Sequence, residues 1–248
     1  MTGSASGVES AARPRAWPPS GPRAPLRSVL TNRKLRQFFL SEGTIESFDG
    51  PTGLQHFMIS VIIATLNCER ALLPTLAALV PAAMDGLVSE VIVADGGSHD
   101  GTAFVADTAG CKLLSVDGPL GRRLKAAARN ARAPFLLFLQ PGTVLDARWA
   151  GEARRFLERP SGQSRAAAFA RAANTQAPFR EALLLLLAAL GTRPRPQQGL
   201  LVARKSYDAL GGHSEAAADP EAEFIRRIGR RRLITLPAKA FAAAPLDA

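Results

Sequence analysis

Cysteine is nearly absent from this 248-residue chain: Cys68 and Cys111 are the only two. Two thiols exclude a disulfide framework and a cysteine zinc site. Histidine is almost as scarce, and His56, His99 and His213 lie far apart and form no ligand pair. Aromatics make up 6% of the chain, with one Tyr and two Trp. Single-stranded nucleic acid is held by bases stacking on aromatics interleaved with cations, so no nucleic-acid partner is expected. Long apolar runs are missing too. The longest uninterrupted one, Ala182–Leu190, has nine residues, whereas a membrane-spanning helix needs about 20. Nor does the N-terminus carry the compact apolar core of a secretory signal. The expectation is a soluble, cytoplasmic protein.

Acidic residues are in deficit. Lys and Arg number 31 against 21 Asp and Glu, a formal net charge of +10. Such a balance suits nucleic acid, an anionic membrane surface or a phosphorylated substrate. Arginine on an alanine-rich background is also what a high-GC genome produces, so charge alone does not choose the partner. Hydrophobic residues reach 47%, enough for a packed core, and the length allows one sizeable domain or two small ones.

Residues 1–57 differ from the rest. They hold six prolines and seven basic against four acidic residues, with no sustained periodicity beyond a short helical stretch at Val29–Leu40. Such a segment buries too little apolar surface to offset its ordering entropy, and a disordered N-terminal extension is expected. From Met58 the pattern changes, and a single domain is expected over residues 58–248. Strand candidates are Ser60–Ala64, Glu90–Ala94, Lys112–Val116, Phe135–Leu139, Ala166–Ala170, Leu200–Ala203 and Leu233–Leu236. Helix candidates are Glu69–Ala82, Gly101–Ala109, Leu120–Ala131, Asp146–Leu157, Phe179–Leu190 and Glu221–Ile228. The first strands are continuous and β-branched, as in a parallel sheet buried on both faces. Strand–helix alternation predicts an α/β, Rossmann-like, mostly parallel sheet flanked by helices. Ligands in such sheets sit beyond the carboxyl ends of the strands, which directs attention to the loops after Ala64, Ala94, Leu139 and Ala203.

After the first strand the chain reads Thr65-Leu66-Asn67-Cys68-Glu69-Arg70, and after the second Asp95-Gly96-Gly97-Ser98-His99-Asp100-Gly101-Thr102. Glycines let backbone amides approach a ligand, and a strand-end carboxylate can accept from ribose hydroxyls or a base N–H. A glycine-rich turn with an Asp cap reads equally well. Taken together, Ser60–Asn67 and Glu90–Thr102 resemble the opening of the family 2 glycosyltransferases. The likeness continues through Gly121-Arg122-Arg123-Leu124, Phe135–Leu139, Gln198–Val202, Ala209–Gly212 and Glu221–Gly229, about Met58–Pro237 in all.

The resemblance implies the GT-A fold and transfer of a sugar from a nucleotide-sugar donor to an acceptor hydroxyl, in cell-envelope, polysaccharide or glycolipid metabolism. By motif, Asp95 matches the carboxylate that holds the base, and Asp100 a second one near the nucleoside. Thr65, Asn67 and Glu69 would line the donor pocket, and Gly121, Arg122 and Arg123 would touch the donor diphosphate. Glu221 falls where the family usually has its catalytic Asp, with Glu223 at the next acidic position. A base must remove the acceptor proton, and positive charge must stabilise the departing diphosphate. The resemblance also implies a divalent cation, Mg or Mn, and for many members a lipid-linked acceptor. The apolar stretch Pro178–Leu190, flanked by Arg180, Arg193 and Arg195, then suggests peripheral contact with the inner membrane face; a buried helix closing the sheet fits it as well.

The sequence departs from the family where the metal should sit. The fourth strand is followed by Gln140-Pro141-Gly142-Thr143, with Gly142 at the expected aspartate position. A hard cation wants oxygen ligands and glycine's side chain offers none; Asp146, four residues on, is expected to cap the next helix. Gln197 and Pro220 replace further acidic positions. Two readings follow. In one, Arg122, Arg123 and Lys125 supply the missing charge, since the guanidinium fork suits phosphate. In the other, the site is impaired and the chain serves as a nucleotide-binding or partner protein. A nucleotidyltransferase is set aside because Ala64–Cys68 lacks the glycine-rich loop such enzymes carry there.

Overall fold

The computed structural model describes residues 57–172 and 195–242. The expected extension over 1–57 and the helix at Phe179–Leu190, with its membrane contact, lie outside the described residues, Phe57 alone excepted.

The strands are β1 (Ile59–Thr65), β2 (Val88–Asp95), β3 (Lys112–Ser115), β4 (Phe135–Leu139), β5 (Thr143–Leu145), β6 (Ala166–Arg171), β7 (Leu200–Ala203) and β8 (Leu233–Ala242). The helices are α1 (Glu69–Met84), α2 (Thr102–Thr108), α3 (Leu120–Asn130), α4 (Trp149–Glu158), α5 (Arg204–Ala209) and α6 (Pro220–Ile228). The strands form one sheet in the order β3-β2-β1-β4-β7-β6-β8-β5. Parallel pairing runs through β3, β2, β1 and β4, with Ile63 opposite both Val93 and Leu139. β7 then runs antiparallel to β4 and β6, β8 runs parallel to β6, and β5 closes the edge antiparallel to β8.

Alternation along each strand divides the core in two. Val61, Ile63, Val91, Val93, Phe135 and Leu137 face α1, α2 and α4, packing with Leu72, Leu79, Trp149 and Phe156. Ile62, Ile92, Leu136 and Phe138 face α3, α5 and α6, packing with Leu124, Ala127, Tyr207 and Phe224. That period of two is set by the pleat, and consecutive apolar residues are what two covered faces require, with the buried Ser60 of β1 donating a hydrogen bond to the buried Glu90 of β2.

Three features differ from the sequence expectations. β5 is three residues long and α5 six, too short to carry a readable period. β8 continues past Leu236 to Ala242, with the register slipping at Pro237. Proline cannot donate to a ladder and is tolerated at such an irregularity. Asp146 does not cap α4, whose N-cap is Arg148. Its carboxylate instead accepts from the amides of Arg148 (2.9 Å) and Lys239 (2.8 Å), tying the turn before α4 to β8.

Candidate functional site

The register places Thr65 opposite Asp95 at the carboxyl edge of the sheet, and the two loops that follow clasp each other. Asp95 Oδ1 accepts from the hydroxyls of Thr65 (2.8 Å) and Ser98 (2.5 Å). Its Oδ2 accepts from the amides of Gly97 (3.1 Å) and Ser98 (2.8 Å). A carboxylate offers about four lone-pair sites, so the protein's own donors use the acceptor capacity of Asp95. Burial works to raise its pKa, but the Ser98, Thr65 and Gly97 donations outweigh it and hold the group below the usual carboxylate range. Gly97 turns at φ 92 and Asn67 at φ 53, backbone values that glycine and asparagine tolerate best.

Asn67 completes the clasp in both directions. Its amide donates to Ser98 Oγ (2.8 Å) and its side-chain oxygen accepts from the amide of His99 (2.8 Å). Asp100 takes the amide and hydroxyl of Thr102 and the amide of Glu69. Burial pushes its pKa up, but these donations prevail and hold it low. Glu69 returns the contact by accepting from the amide of Gly101 (3.1 Å). Thr65, Asn67, Glu69, Asp95 and Asp100 are therefore one interlocked unit, drawn from segments about thirty residues apart.

The basic cluster on α3 divides. Arg123 reaches the clasp: its Nη1 donates to the Thr65 carbonyl at 2.6 Å. A Cβ on Gly96 would lie 2.7 Å from the same nitrogen, so the glycine makes room for the guanidinium. Arg123 Nε is buried and has no hydrogen-bond partner. Arg122 is exposed and Lys125 half-buried. Gly121 brings α3 against the 211–215 loop so closely that a Cβ would sit 1.9 Å from the Ser214 carbonyl oxygen.

Beyond β4, the amide of Gly142 (φ 87) donates to α1 at the Ala71 carbonyl (3.0 Å) and Thr75 Oγ1 (2.9 Å). Gln140 stands one residue past Leu139, level with the end of β1, and its Nε2 donates to Glu221 Oε2 at 2.5 Å. This contact joins residues 81 apart and carries the α6 carboxylate to the same sheet edge as Thr65. Glu221 is buried, 8% exposed. Burial raises its pKa above the ordinary carboxylate value of 4.5, the Gln140 donation opposes that, and Asp219 adds to it. Glu223 is engaged elsewhere. It pairs with Arg227, which holds its carboxyl below the usual range, and Arg227 also donates to the Leu210 and Gly212 carbonyls.

Sequence reasoning passed over Gln140 as a partner of Glu221, because attention at that loop fell on Gly142. It also passed over the box behind α6. Tyr207 OH lies 3.0 Å from His213 Nδ1 and accepts from the His213 amide at 3.1 Å. The Phe138 and Phe224 rings pack on both residues. Among the described residues, no three His, Cys, Asp or Glu side chains gather as a metal site.

Residues 60–170 match the family model described as Glycosyl transferase family 2. No curated protein sequence matches the chain. Among solved structures, glucosyl-3-phosphoglycerate synthase from Mycobacterium tuberculosis, in complex with Mn2+, UDP and glucosyl-3-phosphoglycerate, aligns at 17% identity and TM-score 0.54, covering 77% of this chain and 72% of that one. A mannosyltransferase from Pyrobaculum calidifontis, in complex with GDP-Man and Mn2+, aligns at 18% identity and TM-score 0.60, covering 77% and 58%. TarS 1–349 of S. aureus, in complex with UDP-GlcNAc, aligns at 18% identity and TM-score 0.57, covering 77% and 60%. The fold is that of the GT-A glycosyltransferases, and the stretch that matches the family 2 model runs from β1 into β6.

Proposed function

We propose that the protein is a glycosyltransferase that moves a sugar from a nucleotide-sugar donor to an acceptor hydroxyl, with Glu221 as base. The observation that carries this reading is the Glu221 carboxylate, buried on α6 yet delivered by Gln140 to the sheet edge that holds the Thr65–Asp95 clasp. A raised pKa brings a carboxylate nearer the operating pH and strengthens it as a base. In the reaction the acceptor O–H bond breaks toward Glu221 while the oxygen attacks the anomeric carbon. The bond from that carbon to the nucleoside diphosphate breaks with its electron pair leaving on the diphosphate.

In this reading Asp95 and Asp100 serve the donor by ordering the loops. With their oxygens occupied, and with the amides of Asn67, Gly97, Ser98 and His99 donating within the clasp, the polar groups left here for base and ribose are the carbonyls of those four residues. The residues after β4 do not fit a divalent cation: Gly142 brings no oxygen ligand and its amide is tied to α1. The positive charge facing the diphosphate is then assigned to Arg122, Arg123 and Lys125. Arg123 already stands at the Thr65 carbonyl with one buried N–H unpartnered. Glu223 holds Arg227 and through it the 210–212 loop, and is a positioning residue. The acceptor belongs, on this proposal, to cell-envelope, polysaccharide or glycolipid chemistry, and a lipid-linked one would bring membrane contact. No helix among the described residues is long and apolar enough to cross a bilayer.

Gly142 also favours a second reading, an impaired homologue that binds nucleotide or a protein partner. Calorimetric titration of the full chain with UDP, GDP and dTDP, with and without Mn2+, separates the two. Binding of one nucleotide with the same affinity in both conditions supports the transferase without a resident metal. Binding only with Mn2+ refutes the assignment of charge to the arginines. Absence of binding in both conditions turns the reading to the partner protein.

A further inference from the structure

A polar cleft lies at the other end of the sheet from the clasp. It is a half-open cleft of about 540 Å³ between the start of β6, the end of β7, α5 and the end of α6. Ala166 pairs with Val202 and Leu233, and Val202 with Leu136 near the amino end of β4. The cavity therefore opens at the amino edge of β4, whereas the clasp caps the carboxyl edge of β1 and β2. Five residues of β4 separate the two edges, or about 15 Å of extended chain.

Its chemistry is one-sided. The exposed Arg165, Arg231 and Arg232 line it, and among the described residues no acidic side chain does. Arg231 and Arg232 belong to the single turn Arg230–Arg232 that leads into β8. Among the described residues none of the three lining guanidiniums forms an ion pair; the pairs present involve Arg132, Arg148, Arg155 and Arg227. The floor is apolar, built from Val202, Leu210 and Ile228. Like charges lining one cleft repel one another, a cost that solvent screens at these exposed side chains and that a bound anion removes. Planar guanidinium forks on a concave, partly apolar wall suit the tetrahedral oxygens of a phosphate ester. The volume is that of a small-molecule site.

We propose that this cleft binds the phosphate group of an anionic ligand, independently of the donor site. Two sources share that chemistry, a soluble phosphate ester and a phospholipid headgroup. The test uses the full chain, glycerol phosphate as soluble probe, and vesicles of phosphatidylglycerol against vesicles of phosphatidylcholine. Wild type is expected to bind glycerol phosphate, or to sediment with phosphatidylglycerol and not phosphatidylcholine, in the presence of saturating UDP. The Arg231→Ala/Arg232→Ala double variant is expected to lose about tenfold or more in that affinity, and Arg165→Ala to lose part of it. Both variants should keep a wild-type circular dichroism spectrum and, if wild type binds UDP, its UDP affinity. Glycerol phosphate binding identifies a soluble ester, and vesicle binding alone a headgroup. Equal binding by wild type and double variant overturns the proposal. So does displacement of the probe by UDP, binding of neither probe, or retention of a DNA duplex in their place.

Discussion

His213 offers the most quantitative check on how the α6 side of the site is held. It is 1% exposed, packed between Phe138, Tyr207 and Phe224, and its Nε2 has no hydrogen-bond partner. Burial pushes its pKa down from 6.5 to about 3, Arg227 lowers it further, and Glu223 opposes them. The folded ring is therefore neutral at every pH above about 3, while the unfolded ring takes a proton below 6.5. Between those values the unfolded chain binds more protons, so stability rises with pH and is lost on acidification. Each pH unit is worth about 1.4 kcal/mol, so moving from pH ~7 to pH ~5 should cost about 2 kcal/mol through this residue. Urea denaturation followed by circular dichroism at the two pH values reads the loss directly. His213→Phe keeps a ring in the box and removes the titration. Its own loss over the same window should be smaller by about 2 kcal/mol. Asp95, Asp100 and Glu223 have lowered pKa values and titrate below this window, whereas the raised Glu221 is common to both proteins. An identical pH slope for wild type and His213→Phe would refute the assignment of a buried, neutral histidine.

Three further outcomes bear on the site. Asp95→Ala leaves two hydroxyls and two amides without their acceptor; it should lower stability by about 2–3 kcal/mol and abolish nucleotide binding, and an unchanged affinity would remove the clasp from the donor site. Glu221→Gln should keep nucleotide affinity and reduce donor turnover by about 10²–10⁴-fold. Because burial raises the Glu221 pKa and the base must be ionised, wild-type turnover should climb with pH through a value above 4.5, and a flat profile there would count against Glu221. Gly121→Ala places a Cβ 1.9 Å from a backbone oxygen and should destabilise by about 1–3 kcal/mol through overpacking, read as a lowered thermal midpoint.

What was legible in the sequence follows the range over which each signal acts. β1, β2 and β4 announce themselves because both faces are covered and apolar residues run consecutively through them, and the glycine-rich loop after β2 is marked by its own residues. β5 and α5 carry too few residues to show a period, and β8 hides its second half behind Pro237. In the candidate site, the residues of the loops after β1 and β2 could be singled out, but their engagement across the two loops could not. Three of the four donors to Asp95 come from Gly97 and Ser98 beside it, within reach of a local reading, but the fourth, Thr65, stands thirty residues away. The Gln140–Glu221 contact needs the sheet to bring positions 81 apart together. Proximity in space is set by strand order, which no local pattern contains.

The same distinction weighs the two functional readings. Asp95, Asp100, Asn67 and Glu69 hold one another in a network that stabilises the two loops whether or not a nucleotide binds. Their presence is explained by folding alone and does not separate a working enzyme from a silent relative. Glu221 is different. A buried carboxylate with one hydrogen-bond donor weakens the fold, and an apolar or amide side chain on α6 would serve packing better. Its stabilising partner, Gln140, directs it toward the sheet edge rather than away from it. Groups that cost stability and have shifted pKa values concentrate where chemistry needs them. Among the described residues Glu221 is thus a buried carboxylate that packing does not call for, which is the argument for activity, and the turnover of Glu221→Gln is where the transferase reading stands or falls.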